Sequence, residues 1–187
     1  MKILILLSWF AILGFAQAED FSTSFGKTPQ EEKMCQERIY ARMPLNAKGN
    51  DWAHMHHYCD CLRFYDRARS AETKRDTEAF KFDILSSESN CQYVLNRVSK
   101  NSTMRPEVLV MRGRSLELGG RVAEALLSYN EAVKTDPNFS MAYAALGNFF
   151  EKNGNKADAR KMFEEGLRRH PDNKYLRTRF NSLQGNK

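Results

Sequence analysis

Apolar residues in the C-terminal half recur at spacings of three and four, and the pattern restarts after fixed breaks. Val122, Ala125, Leu126, Tyr129 and Val133 fall on one side of a helix over 121–134. The stretch Glu107 to Leu118 predicts a helix before it, with Pro106 in the first turn, where a missing N–H costs nothing. Gly119-Gly120 separates the two. Asp136 precedes Pro137, which disfavours helical backbone at Asp136 and ends the second helix. The cycle then repeats as a helix from Phe139 to Lys152, a turn at Asn153-Gly154 and a helix from Lys156 to Arg169. After Pro171, the residues Tyr175, Leu176, Phe180 and Leu183 predict one more amphipathic helix, a terminal cap.

The restart has a fixed period. Asp136-Pro137-Asn138 recurs as His170-Pro171-Asp172, with the prolines 34 residues apart. Leu109, Gly113, Leu116, Ala125, Tyr129, Ala132 and Pro137 align with Tyr143, Gly147, Phe150, Ala159, Phe163, Gly166 and Pro171. A period of this length means stacked helical hairpins, none of which can bury its apolar face alone. Gly113 and Gly147 mark close approach of paired helices, and Tyr129, Phe150 and Phe163 would fill the space between hairpins. Ala79, Phe82, Cys91, Leu95 and Val98 sit one period earlier, which suggests a degenerate third copy over about 70–103.

These aligned positions resemble the tetratricopeptide repeat family over about residues 104–172. Two positions depart from it, Arg112 where leucine is usual and Gly166 where alanine is usual. The resemblance implies an all-α fold: a short α-solenoid of helix-turn-helix hairpins, with an irregular helical N-terminal extension and a C-terminal capping helix. It also implies that the first helix of each hairpin lines a concave groove. On that register the groove residues are Glu107, Val110, Met111, Arg114, Met141, Ala144, Ala145, Asn148 and Glu151, with Thr178 and Arg179 from the final helix. Two methionines suit adaptable packing against a peptide or partner helix. Some members grip a chain-terminal carboxylate with lysines and asparagines. Asn148 fits one such position, but Val110 and Ala144 stand where lysine would be wanted. The competing reading of these residues is an empty solvent face, or cover by the N-terminal helices.

Upstream, three of the four histidines and two of the four cysteines lie between Asp51 and Cys61. Trp52 to about Ala71 lacks proline and glycine and predicts a helix, capped by Asp51 or Asn50. Its apolar side holds Trp52, Met55, Leu62, Tyr58 and Tyr65. A shorter helix over about 30–42 precedes it. On the longer helix His54, His57 and Cys61 stand at i, i+3 and i+7, one face that could hold a transition metal. The competing readings are hydrogen-bonded histidines and disulfide-bonded cysteines. Cys59 and Cys61 point about 200° apart around a helix, so they should not bond to each other, and each has a partner on another element or remains free. Cys35–Cys59 is favoured; Cys61–Cys91 is a further candidate that competes with a small buried position for Cys91 in the degenerate repeat, and the exchanged pairing Cys35–Cys61 with Cys59–Cys91 stays open. This segment also resembles exported bacterial repeat proteins in which a cysteine-bearing entry helix precedes a His-Tyr-Cys helix, a likeness that brings no activity with it.

Residues 1–18 read as a signal peptide: Lys2, an apolar run from Ile3 to Phe15, then Ala16-Gln17-Ala18. The run is short for a membrane span, an uncleaved anchor being the competing reading. The expected organisation is the leader over 1–18, a helical region with the Cys/His segment over 19–103, and two repeats with a cap over 104–187. Without Lys2 the net charge falls from +6 to +5. Basic residues are interleaved with acids, as in Lys161 to Arg169, and no basic run with aromatic spacing argues for nucleic acid. No Gly-rich phosphate loop, G-x-S-x-G, H-E-x-x-H, C-x-x-C or C-x-x-C-H is present, so neither an enzyme nor a cofactor is expected. A Cys59/His56 nucleophile is the remaining catalytic candidate, and no catalytic residue is assigned. The expected function is a periplasmic or secreted scaffold or assembly factor with a protein or peptide partner. The alternative is a metal-binding or redox-active protein using residues 54–61.

Overall fold

The computed structural model describes residues 27–42 and 50–184; the expected leader over 1–18 lies outside them. The described residues form nine α-helices and a 3₁₀ turn at Tyr40–Arg42. The helices are α1 (Pro29–Arg38), α2 (Asn50–Ala53), α3 (Met55–Lys74), α4 (Thr77–Arg97), α5 (Arg105–Leu118), α6 (Val122–Thr135), α7 (Ser140–Lys152), α8 (Lys156–Arg169) and α9 (Lys174–Ser182). The chain is thus a short α-solenoid. The pairs α3–α4, α5–α6 and α7–α8 pack as hairpins, each hairpin rests on the next, and α9 closes the stack on α8.

Local chemistry sets the boundaries. Thr28 and Glu31 form a capping box at α1, with Pro29 just inside it. Asp76 accepts from Ala79 N to start α4, and Asn173 accepts from Leu176 N to start α9. Gly120 and Gly154 occupy equivalent turns with φ of 80° and 79°, a conformation that strains any residue with a Cβ.

Two glycines act as seats for rings. A Cβ added at Gly113 would lie 2.4 Å from the Tyr129 ring, and one at Gly147 would lie 2.3 Å from that of Phe163. Each aromatic ring occupies the space that a Cβ at the facing glycine would take. Gly166 has a similar cause: a Cβ there would meet Leu176 at 2.8 Å and Tyr143 Cβ at 2.9 Å. The departure from alanine therefore lets α9 and Tyr143 close on α8. The other departure is also compensated, since Arg112 Nη1 donates to Ser128 Oγ at 2.6 Å. Ser128 is accordingly buried on α6, although its place in the pattern suggests an outer face.

The first hairpin differs from the other two. Its turn falls at Arg75-Asp76, where Arg75 adopts a left-handed φ of 59°. The period would need a turn near Leu85-Ser86, but no glycine is there and α4 runs through without a break. The N-terminal hairpin is therefore residues 55–97, not a 34-residue copy over 70–103. Of the residues on that register, Cys91, Leu95 and Val98 are buried, while Phe82 is exposed. The single long helix expected from Trp52 is likewise two helices, α2 and α3, interrupted at His54. Asp51 does not cap it; its carboxylate accepts from Ser99 N at 2.7 Å and Ser99 Oγ at 3.1 Å, tying α2 to the end of the hairpin.

Two disulfides hold the N-terminal region. Cys35 of α1 is bonded to Cys59 of α3, and Cys61 of α3 to Cys91 of α4, with all four cysteines fully buried. No helix among the described residues is long and apolar enough to cross a membrane.

Candidate functional site

The inner surface is built from α5, α7 and the start of α9, but only part of it is open. Along α5, Glu107, Val110 and Met111 are buried, and so is Ala145 of α7. Along α5 the cause is α3, which packs across it; α7 itself packs on α5. The Tyr58 hydroxyl of α3 donates to Glu107 Oε1 at 3.1 Å. Burial foremost, then the Glu107 carboxylate, pushes the Tyr58 phenol well above its usual range. The groove expected along α5 is thus filled by the protein's own N-terminal hairpin, and Met111 belongs to the core.

The open part lies further along. A cavity of about 340 Å³ is lined by Arg114, Ser140, Met141, Ala144, Asn148, Asn173 and Tyr175. Arg114, Met141, Ala144 and Asn148 are four of the residues the sequence register places in the groove. Its floor is the apolar side of α7, from Met141 and Ala144. Arg114 supplies a positive edge, and its Nη1 lies 3.6 Å from Met111 Sδ. On the opposite rim the Tyr175 hydroxyl is 2.7 Å from Asn148 Nδ2 and 2.9 Å from Asn148 Oδ1.

Three other expected residues lie apart from the cavity lining. Glu151 and Arg179 form an ion pair between α7 and α9. Thr178 is exposed, with its hydroxyl donating to Lys174 O of its own helix at 2.9 Å. Ser140, Asn173 and Tyr175 line the cavity but escape sequence reasoning. Ser140 and Asn173 sit at helix starts, just outside a register drawn on helix interiors. Tyr175 reads as apolar cap material, yet it is 49% exposed.

The Cys/His segment does not form the expected face. His54 lies at the break between α2 and α3, and Cys61 is consumed by Cys91. Among the described residues, no three His, Cys, Asp or Glu side chains converge as a metal site. Cys59 is bonded to Cys35, so it offers no thiol to His56.

Residues 128–161 match the tetratricopeptide repeat family model, a stretch running from the middle of α6 through α7 into α8. No curated protein sequence matches the chain. Among solved structures, the first TPR of Spaghetti (RPAP3) bound to HSP90 peptide SRMEEVD is similar at 14% identity and a TM-score of 0.48, covering 67% of this chain and 93% of that one. The Sgt2 TPR domain from Aspergillus fumigatus is similar at 14% identity and a TM-score of 0.47, covering 66% of this chain and 76% of that one.

Proposed function

We propose that the protein is an exported interaction scaffold, periplasmic or secreted, that holds an extended or helical segment of another protein against α7 and α9. The observation that carries this is the open cavity between Arg114, Met141, Ala144 and Tyr175. It has an apolar floor, one cationic edge, and carboxamide and hydroxyl groups suited to a peptide backbone. The repeat match over 128–161 covers α7, the helix that supplies the floor. The leader-like sequence of residues 1–18 and the pairing of all four cysteines support export.

The segment recognised has an apolar anchor next to an acidic residue. The anchor provides most of the affinity, because an exposed ion pair contributes only about 0–1 kcal/mol. The test is a photo-crosslinking side chain at position 144, used in the native compartment, followed by affinity measurements with the captured protein. Met141→Ala should weaken the complex strongly, and Arg114→Glu should slow association and change its salt dependence. Unchanged binding by both variants would place the working surface elsewhere.

A further inference from the structure

The first turn of α3 carries a cluster that peptide binding leaves unused. His56 and His57 are adjacent in sequence, and adjacent helical residues normally diverge by about 100°. Here their ring centroids are 4.3 Å apart, with the planes tilted by 41°. Hydrogen bonds decide which nitrogen each ring leaves open. His56 Nδ1 lies 3.1 Å from Ala53 O. A carbonyl only accepts, so this nitrogen carries the proton. His57 Nδ1 lies 2.7 Å from Asn90 Oδ1, and Asn90 is oriented by its Nδ2, which donates to Ser86 O at 2.9 Å. Nδ1 of His57 is therefore also the protonated one. In the neutral ring each Nε2 keeps its lone pair, and no hydrogen bond among the described residues occupies either.

The support behind these rings is rigid. Asn90 adjoins Cys91, which is bonded to Cys61 one turn along α3 from the histidines. The His57 ring rests on Tyr93 at 3.9 Å. An imidazole whose Nδ1–H is held by a carbonyl or carboxamide oxygen, with Nε2 free, is the arrangement that orients histidines toward metals.

We infer that His56 and His57 form a two-imidazole site for a divalent late transition cation, with Cu²⁺ bound ahead of Zn²⁺. Imidazole nitrogen suits both ions, and the general order of affinities places Cu²⁺ first. No third histidine, cysteine or carboxylate among the described residues joins the pair, so water completes the coordination. His54 stands edge-on to Tyr93 at 5.6 Å, with its ring turned to that contact. Arg97, 4.6 Å from the Tyr93 ring centre, and the positive end of α3 oppose any cation here. They hold the affinity down and favour the ion with the strongest nitrogen bonds.

The test uses the purified, tag-free chain with both disulfides intact, titrated with Cu²⁺ and with Zn²⁺ by calorimetry. Pulsed electron paramagnetic resonance of the Cu²⁺ form counts the imidazoles. The expected result is one Cu²⁺ per chain with two imidazoles coupled to it, and weaker Zn²⁺ binding. His56→Ala and His57→Ala should each weaken Cu²⁺ by about tenfold or more, and Asn90→Ala by about tenfold through loss of orientation. His54→Ala and His170→Ala should leave it unchanged, and circular dichroism should show every variant folded. Undiminished affinity in His56→Ala or His57→Ala, a single coupled imidazole, or equal loss in His54→Ala would overturn the assignment.

Discussion

Gly147 and Phe163 are coupled through the absence of a side chain. The Phe163 ring lies where the Cβ of any other residue at position 147 would be, with 2.3 Å between that Cβ and the nearest ring atom. Gly113 and Tyr129 repeat the relationship one period earlier. The repeat thus conserves a seat and its occupant together, sixteen residues apart on paired helices.

Gly147→Ala should destabilise the protein by about 1–3 kcal/mol through overpacking, and Gly147→Leu by more. Phe163→Leu should be costly alone but should offset part of the Gly147→Ala loss, because the two sites are in contact. Thermal melts of the four-member cycle check this. Strict additivity would show that the ring does not rest on Gly147.

Ser128→Ala should cost about 1–3 kcal/mol, since it leaves the Arg112 guanidinium without its buried acceptor. Leu127→Ala, one residue away and 68% exposed, should change stability by less than about 0.5 kcal/mol. Denaturant titration of both variants gives the comparison. A more stable Ser128→Ala would show that the pair is not formed.

The two methionines should separate. Met111 is 2% exposed and packs in the core, so Met111→Ala should cost about 2–5 kcal/mol of stability. Met141 lines the open cavity, so Met141→Ala should act mainly on partner binding. Melting and binding measured on each single variant would show the split. Equal stability losses would mean that both are core residues.

The hairpins from Arg105 to Arg169 were legible because a strict period, paired glycines and prolines fix both helix ends and packing partners. The N-terminal hairpin was not, because its turn rests on a left-handed Arg75 rather than on glycine. The break at His54 carries no proline or glycine signal either. The site was half legible. A register names which face of α5 points inward, but it cannot see that α3 lies across that face. Only the long-range contact of Tyr58 with Glu107, 49 residues apart, reveals that Met111 and Val110 are covered.

Non-reducing peptide mapping should recover Cys35–Cys59 and Cys61–Cys91 as separate linked pairs. The closed segments span 24 and 30 residues, so each bridge should contribute about 3–4 kcal/mol by constraining the unfolded chain. Cys61→Ala with Cys91→Ala should lower the melting temperature while leaving the first bridge intact. Recovery of Cys35–Cys61 would require α3 to be rotated from the position described.

The last prediction concerns acid. Glu31 of α1 accepts from Arg67 Nε at 2.5 Å and Arg67 Nη2 at 2.7 Å. Partial burial alone would raise the Glu31 carboxyl, but the hydrogen bonds from Arg67 and Thr28 N–H and the nearby arginine charges outweigh it, so its pKa falls below the usual 4.5. A carboxylate depressed in the folded state stabilises the fold above its unfolded pKa, and that contribution is lost as pH falls through the folded value. Glu31→Gln should therefore destabilise the protein at pH 7, where charged hydrogen bonds are broken, and the gap from the parent should shrink as pH falls below the usual 4.5 through the depressed folded value. Asp83 works in the other direction, because burial foremost raises its carboxyl against the charges of Arg67 and Arg63. Protonating Asp83 thus relieves the fold as pH falls through its raised value, and Asp83→Asn should flatten that part of the profile. Denaturant midpoints from pH 3 to pH 7 for the parent, Glu31→Gln and Asp83→Asn would separate the two groups. A gap for Glu31→Gln that stays constant with pH would show that Arg67 does not pair with a charged Glu31.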